Sequence, residues 1–599
     1  MKKITVILFI FLFVISGFSQ NDPRLKGIEE ELNQILEMTH ASGFSVAIVE
    51  GDKVVYTKGF GYRDYENKIP ADANTLFAIG SSSKAFTSGI LGQLRQEDKL
   101  DFNDSPIKHI PELRFYNDEM NSGITIKDMM CHRTGLPRHD LSWYLFPTAD
   151  KDSLIGRIVY QEPFTGLRQN WYYNNFMFLA QGVIAERITG KSWEDNIRER
   201  FFRPLGMDRS NVSIDEMKTS SNAAFGYVVK QDSLIEKTDY YHISGMAPAG
   251  SINSSANDMS RWLLSWINGG KYKEQEILPE VYVQEAMSSQ MVVNGALPDK
   301  NFPDMHLANY GYGWFISSYR GHYRVEHGGN IDGFSANVAF FPVDSFGIVV
   351  LANQGGSAVP GLVRNLLADR MLQAGETDWV ENHREQLEKN RNAQKEMADQ
   401  SISGKISNTK TSHPQHEFTG LYSNPAYGDF KIYLENDSLF AAFKLDTLYL
   451  RHFHYDIFQP FNLTETGVDT TESIGIKFNF ATNDGGDVSN VKLKMEPTLE
   501  PIEFKKTLIS IDVDETTLER YTGTYDLAGF EVKIYTKDKN TLFLFVQGQP
   551  EYELVPTGTN NFSFKSLDGF KVAFSALVKD KYNEITLFQP QGNFTAKRK

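Results

Sequence analysis

Apolar residues recur along this chain with two different periods, and the change of period marks where helices give way to strands. Between Leu25 and Leu36 they follow the spacing of one helical face, which predicts an amphipathic helix. Two strand-like runs then flank Glu50-Gly51-Asp52, and this arrangement predicts a β-hairpin. A second apolar helix is predicted from about Ser82 to Leu94.

Strand-like runs return well after that helix. They cover Tyr323 to Val325 and Ala336 to Leu351, and a helix is predicted from Pro360 to Leu372. Because strands stand at both ends with helices between them, the pattern predicts an antiparallel sheet built from distant parts of the chain. The expected fold class is α+β, with the sheet flanked by helices, a helical subdomain, and further modules behind it.

A charged and amide-rich stretch from Asp378 to Gln400, followed by small polar residues, predicts a helical or polar linker over 376–415. Beyond it, FTGLY at Phe418 to Tyr422 matches YTGTY at Tyr521 to Tyr525. The repeat predicts two related all-β modules, over 416–508 and 509–599, each a small barrel or sandwich. Chance similarity between strand-rich segments is the alternative.

The first twenty residues place two lysines before a short apolar run, which is typical of a secretory signal peptide over 1–20. The mature chain is then expected to be periplasmic or secreted, without a stable membrane span, and an uncleaved N-terminal anchor is the alternative. Residues 21–375 are expected to form the first large domain. Cys131 is the only cysteine, so no intrachain disulfide can form.

Composition narrows the classes of function. The chain of 599 residues is too long for one core, and 41% hydrophobic with 23% charged residues is typical of globular domains. A formal net charge of −15 argues against nucleic acid as a partner. No metal-binding motif of the HExxH type and no complete phosphate loop occurs, so no metal or organic cofactor is expected. Oligomeric state has no signal in the sequence.

The chemistry is concentrated in Ser81-Ser82-Ser83-Lys84. If a helix begins at this serine run, Ser81 and Lys84 lie one turn apart on the same face. A serine hydroxyl becomes a good nucleophile only when a base takes its proton, and a buried neutral lysine amine can do so. Helix N-terminal N–H groups would also stabilise an oxyanion. The alternative is that Ser81 caps the helix and Lys84 is solvated.

The same Ser-x-x-Lys spacing occurs twice more, at Ser105 to Lys108 and at Ser489 to Lys492. The first copy contains Pro106 among acidic loop residues, and the second lies in the β modules. Neither opens an apolar helix, so only the Ser81 copy is a candidate nucleophile.

The surroundings of Ser81 resemble the serine hydrolases related to class C β-lactamases and penicillin-binding proteins. Four further segments agree with that family in order, and the resemblance spans roughly Ile28 to Ala374. They are IKDMMCHRTGLP from Ile126, WYYNNFMFLAQGVIAE from Trp171, PAGSINSSANDMSRWL from Pro248, and VEHGGNIDGFSANVAFFP from Val325. The resemblance implies a β-lactamase-like fold, and relatives of this kind sometimes carry lipocalin-like tails.

The resemblance also implies a Tyr-x-Asn element. Tyr172-Tyr173-Asn174 fits the bare pattern, but Tyr173 with Asn175 is preferred because the preceding aromatics and the following apolar helix then match the family. In that family the tyrosine relays a proton to the leaving group and the asparagine holds the substrate amide. A half-buried core aromatic is the alternative for Tyr173.

Where the family usually has Lys-Thr-Gly on an edge strand, this chain has His327-Gly328-Gly329. The resemblance implies that the Asn330 N–H pairs with that of Ser81 as an oxyanion hole, that the two glycines admit substrate, and that His327 assists. An ordinary strand histidine is the alternative. Because histidine is mostly neutral at pH 7, a fixed cation for a carboxylate is not guaranteed, and efficient β-lactamase activity is not expected.

The sequence therefore predicts an exported serine hydrolase acting on an ester, amide or D-amino-acid peptide, including cell-wall-derived substrates. A binding or sensor protein with a degenerate hydrolase cleft is the alternative from another class. A third possibility makes the β modules the main functional part. Arg133 and Arg138 are candidates for contact with an anionic substrate.

Overall fold

The computed structural model describes residues 22–230, 233–240, 242–295, 297–375, 377–400, 404–464, 467–507, 510–538, 540–567 and 569–599. The predicted signal peptide lies outside these residues. Within them, no helix combines the length and the apolar character that a membrane span requires. The chain divides into two compact units, and each is treated by itself below.

The first unit is built on a nine-stranded sheet in which every paired neighbour is antiparallel. In spatial order its strands are Met291–Asn294, Ala308–Tyr310, Phe315–Tyr319, His322–Ile331, Phe334–Phe341, Phe346–Ala352, Gly43–Glu50, Lys53–Asp64 and Ile69–Pro70. The predicted hairpin is confirmed, with Gly51 at a φ of 59° in its turn. Gly43–Glu50 pairs with Phe346–Ala352 in register, so the prediction of a sheet assembled from both ends is also confirmed.

Helices cover both faces of this sheet. Because both faces of the central strands are buried, the sequences of these strands are almost continuously apolar. Ile28–Met38 and Val359–Leu372 share one hydrophobic cluster with the sheet, and Ala256–Ile267 lies against the other face. The remaining α-helices of five or more residues among the described residues of this unit are Lys84–Gln96, Asp118–Gly123, Ile126–Met130, Lys151–Arg157, Asn175–Thr189, Trp193–Ile197, Ile214–Thr219, Glu280–Ala286 and Trp379–Gln400. The α+β prediction is confirmed.

The second unit contains two closed β-barrels, so the tandem all-β modules are barrels rather than sandwiches. The first barrel runs Thr447–His454, Ser438–Ala442, Gly428–Glu435, Gly420–Asn424, Ile502–Thr507, Val488–Leu493, Phe478–Thr482 and Ile457–Thr464, and pairing of the last with the first closes it. Gly467–Ser473 pairs alongside Ile457–Thr464. The second barrel runs Gly523–Leu527, Phe530–Lys537, Thr541–Val546, Tyr552–Gly558, Asn561–Phe564, Lys571–Val578, Lys581–Gln589 and Gly592–Arg598.

The sequence repeat corresponds to a repeated contact. The Tyr422 hydroxyl donates to the Phe418 carbonyl at 2.8 Å, and the Tyr525 hydroxyl donates to the Tyr521 carbonyl at 3.2 Å. Both tyrosines are fully buried, and each lies in the strand that comes first along the chain in its barrel. Each therefore satisfies its own polar group while filling the core, which is the arrangement that a buried tyrosine requires.

A short stretch from the middle of the chain, His139–Pro147, belongs to the second unit. Phe146 is 5% exposed and lies in the core of the first barrel, stacked on Phe504 with ring centroids 5.8 Å apart and edge-on to Phe443 at 5.5 Å. The Ser142 hydroxyl donates to the Ala426 carbonyl at 2.5 Å. The first barrel thus takes a core residue from a segment that the sequence boundaries assigned elsewhere.

Replacing Phe146 by Ala should destabilise the first barrel by about 3–5 kcal/mol, the usual effect of removing a buried phenylalanine ring. Hydrogen exchange in Gly428–Glu435 measures the local free energy of opening in the full chain. Leu445→Ala, at a side chain 54% exposed, is the matched control. Equal, small changes in both variants would show that Phe146 is not a core residue of this barrel.

Candidate active site

Ser81 lies on a tight turn that the backbone prepares for the following helix. The turn Gly80–Ser83 is 3₁₀-helical and continues directly into Lys84–Gln96, so the helix begins about where the sequence predicts. The Ser83 hydroxyl donates to the Gly80 carbonyl at 2.7 Å and accepts the Ile252 N–H at 3.2 Å. These bonds fix the turn and leave Ser81 partly exposed beside it.

Lys84 is fully buried, and its amine has three partners. Its Nζ lies 3.1 Å from Ser81 Oγ and donates to Asn175 Oδ1 and to the Ala249 carbonyl, both at 2.7 Å. An ammonium has three N–H groups to give, and a neutral amine has two and a lone pair. The same geometry therefore satisfies both protonation states, with the lone pair of the neutral amine facing Ser81.

Tyr173 and Asn175 reach the amine from the segment before and at the start of Asn175–Thr189. The Tyr173 ring centroid is 4.7 Å from Lys84 Nζ. Asn174 caps the helix by accepting the Met177 N–H at 3.1 Å, and its side-chain amide donates to the Pro137 carbonyl. Asn175 is 7% exposed, and its side-chain oxygen accepts a hydrogen bond from the Lys84 amine.

The His-Gly-Gly strand approaches the serine turn closely. Its pairing with Phe315–Tyr319 ends at Glu326, so it is an edge on that side only from His327 onward. A Cβ on Gly329 would collide with the Ile79 carbonyl, and a Cβ on Gly80, at a φ of 50°, would lie 2.9 Å from the Asn330 backbone nitrogen. Both positions therefore require glycine.

The other members of this strand differ in their contacts. A Cβ on Gly328 would meet the Ala336 carbonyl at 3.4 Å, an ordinary contact distance, so close approach to the turn does not explain this glycine. The His327 carbonyl accepts a hydrogen bond from the Ser82 hydroxyl at 3.1 Å. The Asn330 side chain accepts a hydrogen bond from the Ser335 hydroxyl at 2.6 Å. The backbone of Asn330 is therefore the part of this residue that lies against the serine turn.

His327 is a neutral, buried histidine with both ring nitrogens in use. Its Nδ1 lies 2.6 Å from the Gly328 carbonyl, which only accepts, so Nδ1 carries the proton and Nε2 accepts from the Tyr310 hydroxyl at 3.0 Å. Burial lowers the pKa of His327 to about 3, and the charge on Lys84 acts in the same direction. The position of the usual lysine thus holds no cation at neutral pH.

The two other Ser-x-x-Lys copies lack this geometry. Ser105 precedes a 3₁₀ turn, Pro106–Lys108, and Lys108 donates to the Asp104 carboxylate at the surface. Ser489 and Lys492 lie on one barrel strand, where residues three apart point to opposite faces.

Sequence analysis did not assign a role to three parts of this site. The Ala249 carbonyl holds the amine, Tyr310 holds His327, and His132 packs against Tyr173 with ring centroids 4.4 Å apart. Ala249 and His132 lie in two of the segments that carry the family resemblance, but a backbone acceptor such as the Ala249 carbonyl leaves no side-chain signature.

The two candidate arginines have different positions. The Arg133 guanidinium donates to the buried Asp128 carboxylate at 2.6 Å, so its charge is already paired. Arg138 is exposed, and its guanidinium carbon lies 4.9 Å from the Tyr173 ring centroid. Within the described ranges, no group of three or more His, Cys, Asp or Glu side chains is arranged to hold a metal ion.

The fold is that of the β-lactamase-like and penicillin-binding-like serine hydrolase family. Residues 28–372, more than half of the chain, match the family model described as Beta-lactamase. The chain therefore belongs to the β-lactamase family. Residues 405–506 match a domain of unknown function, DUF3471, which covers the linker end and most of the first barrel.

Similar proteins come from distant organisms. The chain is 27% identical over 527 residues to "Unguisins hydrolase ungD'" of Aspergillus campestris, covering 84% of this chain and 95% of that protein. It is 26% identical over 346 residues to "Protein flp" of Staphylococcus aureus, covering 57% of this chain and 65% of that protein. The octameric penicillin-binding protein homologue from Pyrococcus abyssi shares the fold, with a TM-score of 0.53, 19% identity, and coverage of 80% of this chain and 99% of that one.

Acid should destabilise the first unit through His327. Because its folded pKa of about 3 lies below the unfolded value near 6.5, the unfolded state binds more protons between these values, and stability falls as pH drops through that window. From about pH 6.5 to about pH 4.5, His327 alone should lower the free energy of unfolding by about 2 kcal/mol.

Urea denaturation at the two pH values measures this difference. His327→Gln should reduce the pH dependence by that amount, whereas His306→Gln, at an exposed histidine, is the matched control and should leave it unchanged. An identical pH dependence in wild type and His327→Gln would contradict the neutral, buried state.

Proposed function

We propose that this protein is an exported serine hydrolase that forms an acyl-enzyme on Ser81 and acts on an ester, an amide or a D-amino-acid peptide. The membership in the β-lactamase family supports the reaction class, and the N-terminal sequence pattern supports export. The relative named a hydrolase covers most of this chain, which agrees with a catalytic rather than a purely binding role.

One observation carries the proposal: the buried Lys84 amine has partners that suit it before and after it takes a proton. Its bonds to Asn175 Oδ1 and the Ala249 carbonyl use two N–H groups, and the third position faces Ser81 Oγ at 3.1 Å. Proton transfer from Ser81 therefore needs no movement of side chains. Such a preorganised base lowers the barrier for nucleophilic attack.

In the acylation step, Ser81 Oγ bonds to the substrate carbonyl carbon while its proton passes to Lys84 Nζ. The bond from that carbon to the leaving oxygen or nitrogen breaks, and the leaving group takes up a proton relayed by the Tyr173 phenol. The backbone N–H groups of Ser81 and Asn330 stabilise the oxyanion. In deacylation, water attacks the acyl carbon and gives one proton to Lys84 Nζ. The bond from the acyl carbon to Ser81 Oγ then breaks, that oxygen takes the proton from Lys84, and a carboxylic acid leaves.

Ser81→Ala should abolish covalent labelling by a fluorophosphonate probe, because the variant has no oxygen to phosphonylate. Intact mass spectrometry measures the adduct. Ser105→Ala, in the copy of the motif that lacks a buried base, is the matched control and should label like wild type. Label that persists in Ser81→Ala, or its absence from the wild type, would overturn the acyl-enzyme and favour a binding protein with a degenerate cleft.

Arg138 brings a positive charge close to the proposed relay residue. Its guanidinium carbon lies 4.9 Å from the Tyr173 ring centroid, whereas His327 is neutral. We propose that a substrate carboxylate contacts this guanidinium. Arginine suits this role because its planar fork binds carboxylates through two hydrogen bonds.

Arg138→Gln should lower kcat/KM for mono-p-nitrophenyl succinate by about 10-fold, equivalent to about 1.4 kcal/mol, and leave p-nitrophenyl acetate nearly unchanged. The two esters share a leaving group and differ in the carboxylate. Arg138→Lys keeps the charge and should retain part of the preference. An equal loss for both esters would place Arg138 in the proton-transfer step instead.

A further inference from the structure

We infer that His132 is a positioning residue that clamps Tyr173 in the orientation needed for proton relay. This inference rests on the proposed function, because it concerns the same hydrolase site. His132 is 0% exposed and makes no contact that the proposed acylation chemistry itself requires. Several of its contacts nevertheless surround Tyr173, through the ring itself and through the backbone on both sides of it.

The backbone on both sides of Tyr173 is bonded to His132. The Tyr172 N–H donates to the His132 carbonyl at 2.9 Å, and the Asn174 N–H donates to His132 Nδ1 at 3.2 Å. The two amides that flank Tyr173 are therefore held by one residue. Such a bracket fixes the φ and ψ angles from which the tyrosine side chain departs.

The imidazole also fixes the tyrosine ring. The two rings pack at a centroid distance of 4.4 Å with an angle of 37°, and the other edges of the imidazole meet Phe178 at 5.1 Å and Tyr310 at 5.0 Å. Because the imidazole is packed on several sides, it restricts the movement of the Tyr173 ring. A side chain held in one rotamer by such packing keeps the short distances that proton transfer needs.

The clamp requires the neutral form of His132. Because Nδ1 accepts the Asn174 N–H, the proton of the neutral ring is on Nε2, and this buried nitrogen has no hydrogen-bond partner among the described residues. Burial, together with the charge on Lys84, holds the pKa of His132 well below its ordinary range. His132 also adopts a φ of 56°, a conformation costly for most side chains, which indicates that its surroundings impose it.

A double-mutant cycle between His132 and Tyr173 tests this inference. His132→Ala should lower kcat for p-nitrophenyl ester hydrolysis by about 100-fold with KM within about 2-fold, because the relay acts in the transition state. In a Tyr173→Phe background, His132→Ala should cause less than about a 3-fold further loss, because the group it positions is gone. The inference is wrong if the kcat loss of the double variant equals the product of the two single-variant losses. It is also wrong if His132→Ala has the wild-type kcat.

His132→Asn is the conservative variant for rescue. Its side-chain oxygen can take the place of Nδ1, and asparagine tolerates positive φ, so it should recover at least about 10-fold of the kcat lost in His132→Ala. The same cycle is run on this variant if the alanine variant does not fold, and circular dichroism verifies folding in each case. A kcat loss in His132→Asn equal to that of Tyr173→Phe, with no rescue, would contradict the role of the Nδ1 acceptor.

The outcome for the clamp is separate from that for the proposed function. If fluorophosphonate does not label Ser81 in the wild type, the acyl-enzyme proposal is wrong. The double-mutant cycle then has no wild-type hydrolysis rate to compare with. A wild type that is labelled, together with additive losses in the cycle, overturns only the role of His132.

Discussion

A lysine amine without access to water is the constraint on which the arrangement of this site depends. Removing an ammonium from water is costly by several kcal/mol unless hydrogen bonds replace its hydration. Lys84 obtains them from Ser81 on its own turn, from Asn175 at the start of another helix, and from the Ala249 carbonyl. The serine turn, the helical subdomain and the Ala249 segment must therefore assemble together before the amine is satisfied.

Two histidines and a tyrosine near the amine are polar side chains that carry no charge at neutral pH. His132 and His327 are both buried, and burial together with the Lys84 charge keeps both pKa values low. Tyr310 is also fully buried, and burial raises the pKa of its phenol well above its ordinary value. The low dielectric around the amine strengthens its electrostatic effect on Ser81.

Much of the fold and part of the site follow from the sequence. The spacing of Ser81 and Lys84 predicted by local geometry that these two side chains meet, and the repeat with Tyr422 and Tyr525 predicted two similar barrels. Barrel closure and the position of Ala249 did not follow, because they depend on contacts between residues far apart in the chain. Tyr173 and His327 were reached through the order of the motifs, and spacing alone carried no information about which atoms they meet.

The segment His139–Pro147 shows why module boundaries read from sequence are incomplete. The repeat and the polar linker predict that the first barrel starts at residue 416, yet Phe146 lies in that barrel's core among Phe430, Phe443 and Phe504. A tail expressed without this segment would have a cavity where a phenylalanine ring belongs, and such cavities destabilise cores by several kcal/mol. Failure of that tail to bind a ligand would then reflect an incomplete core, so a meaningful assay of the barrels must retain residues 139–147.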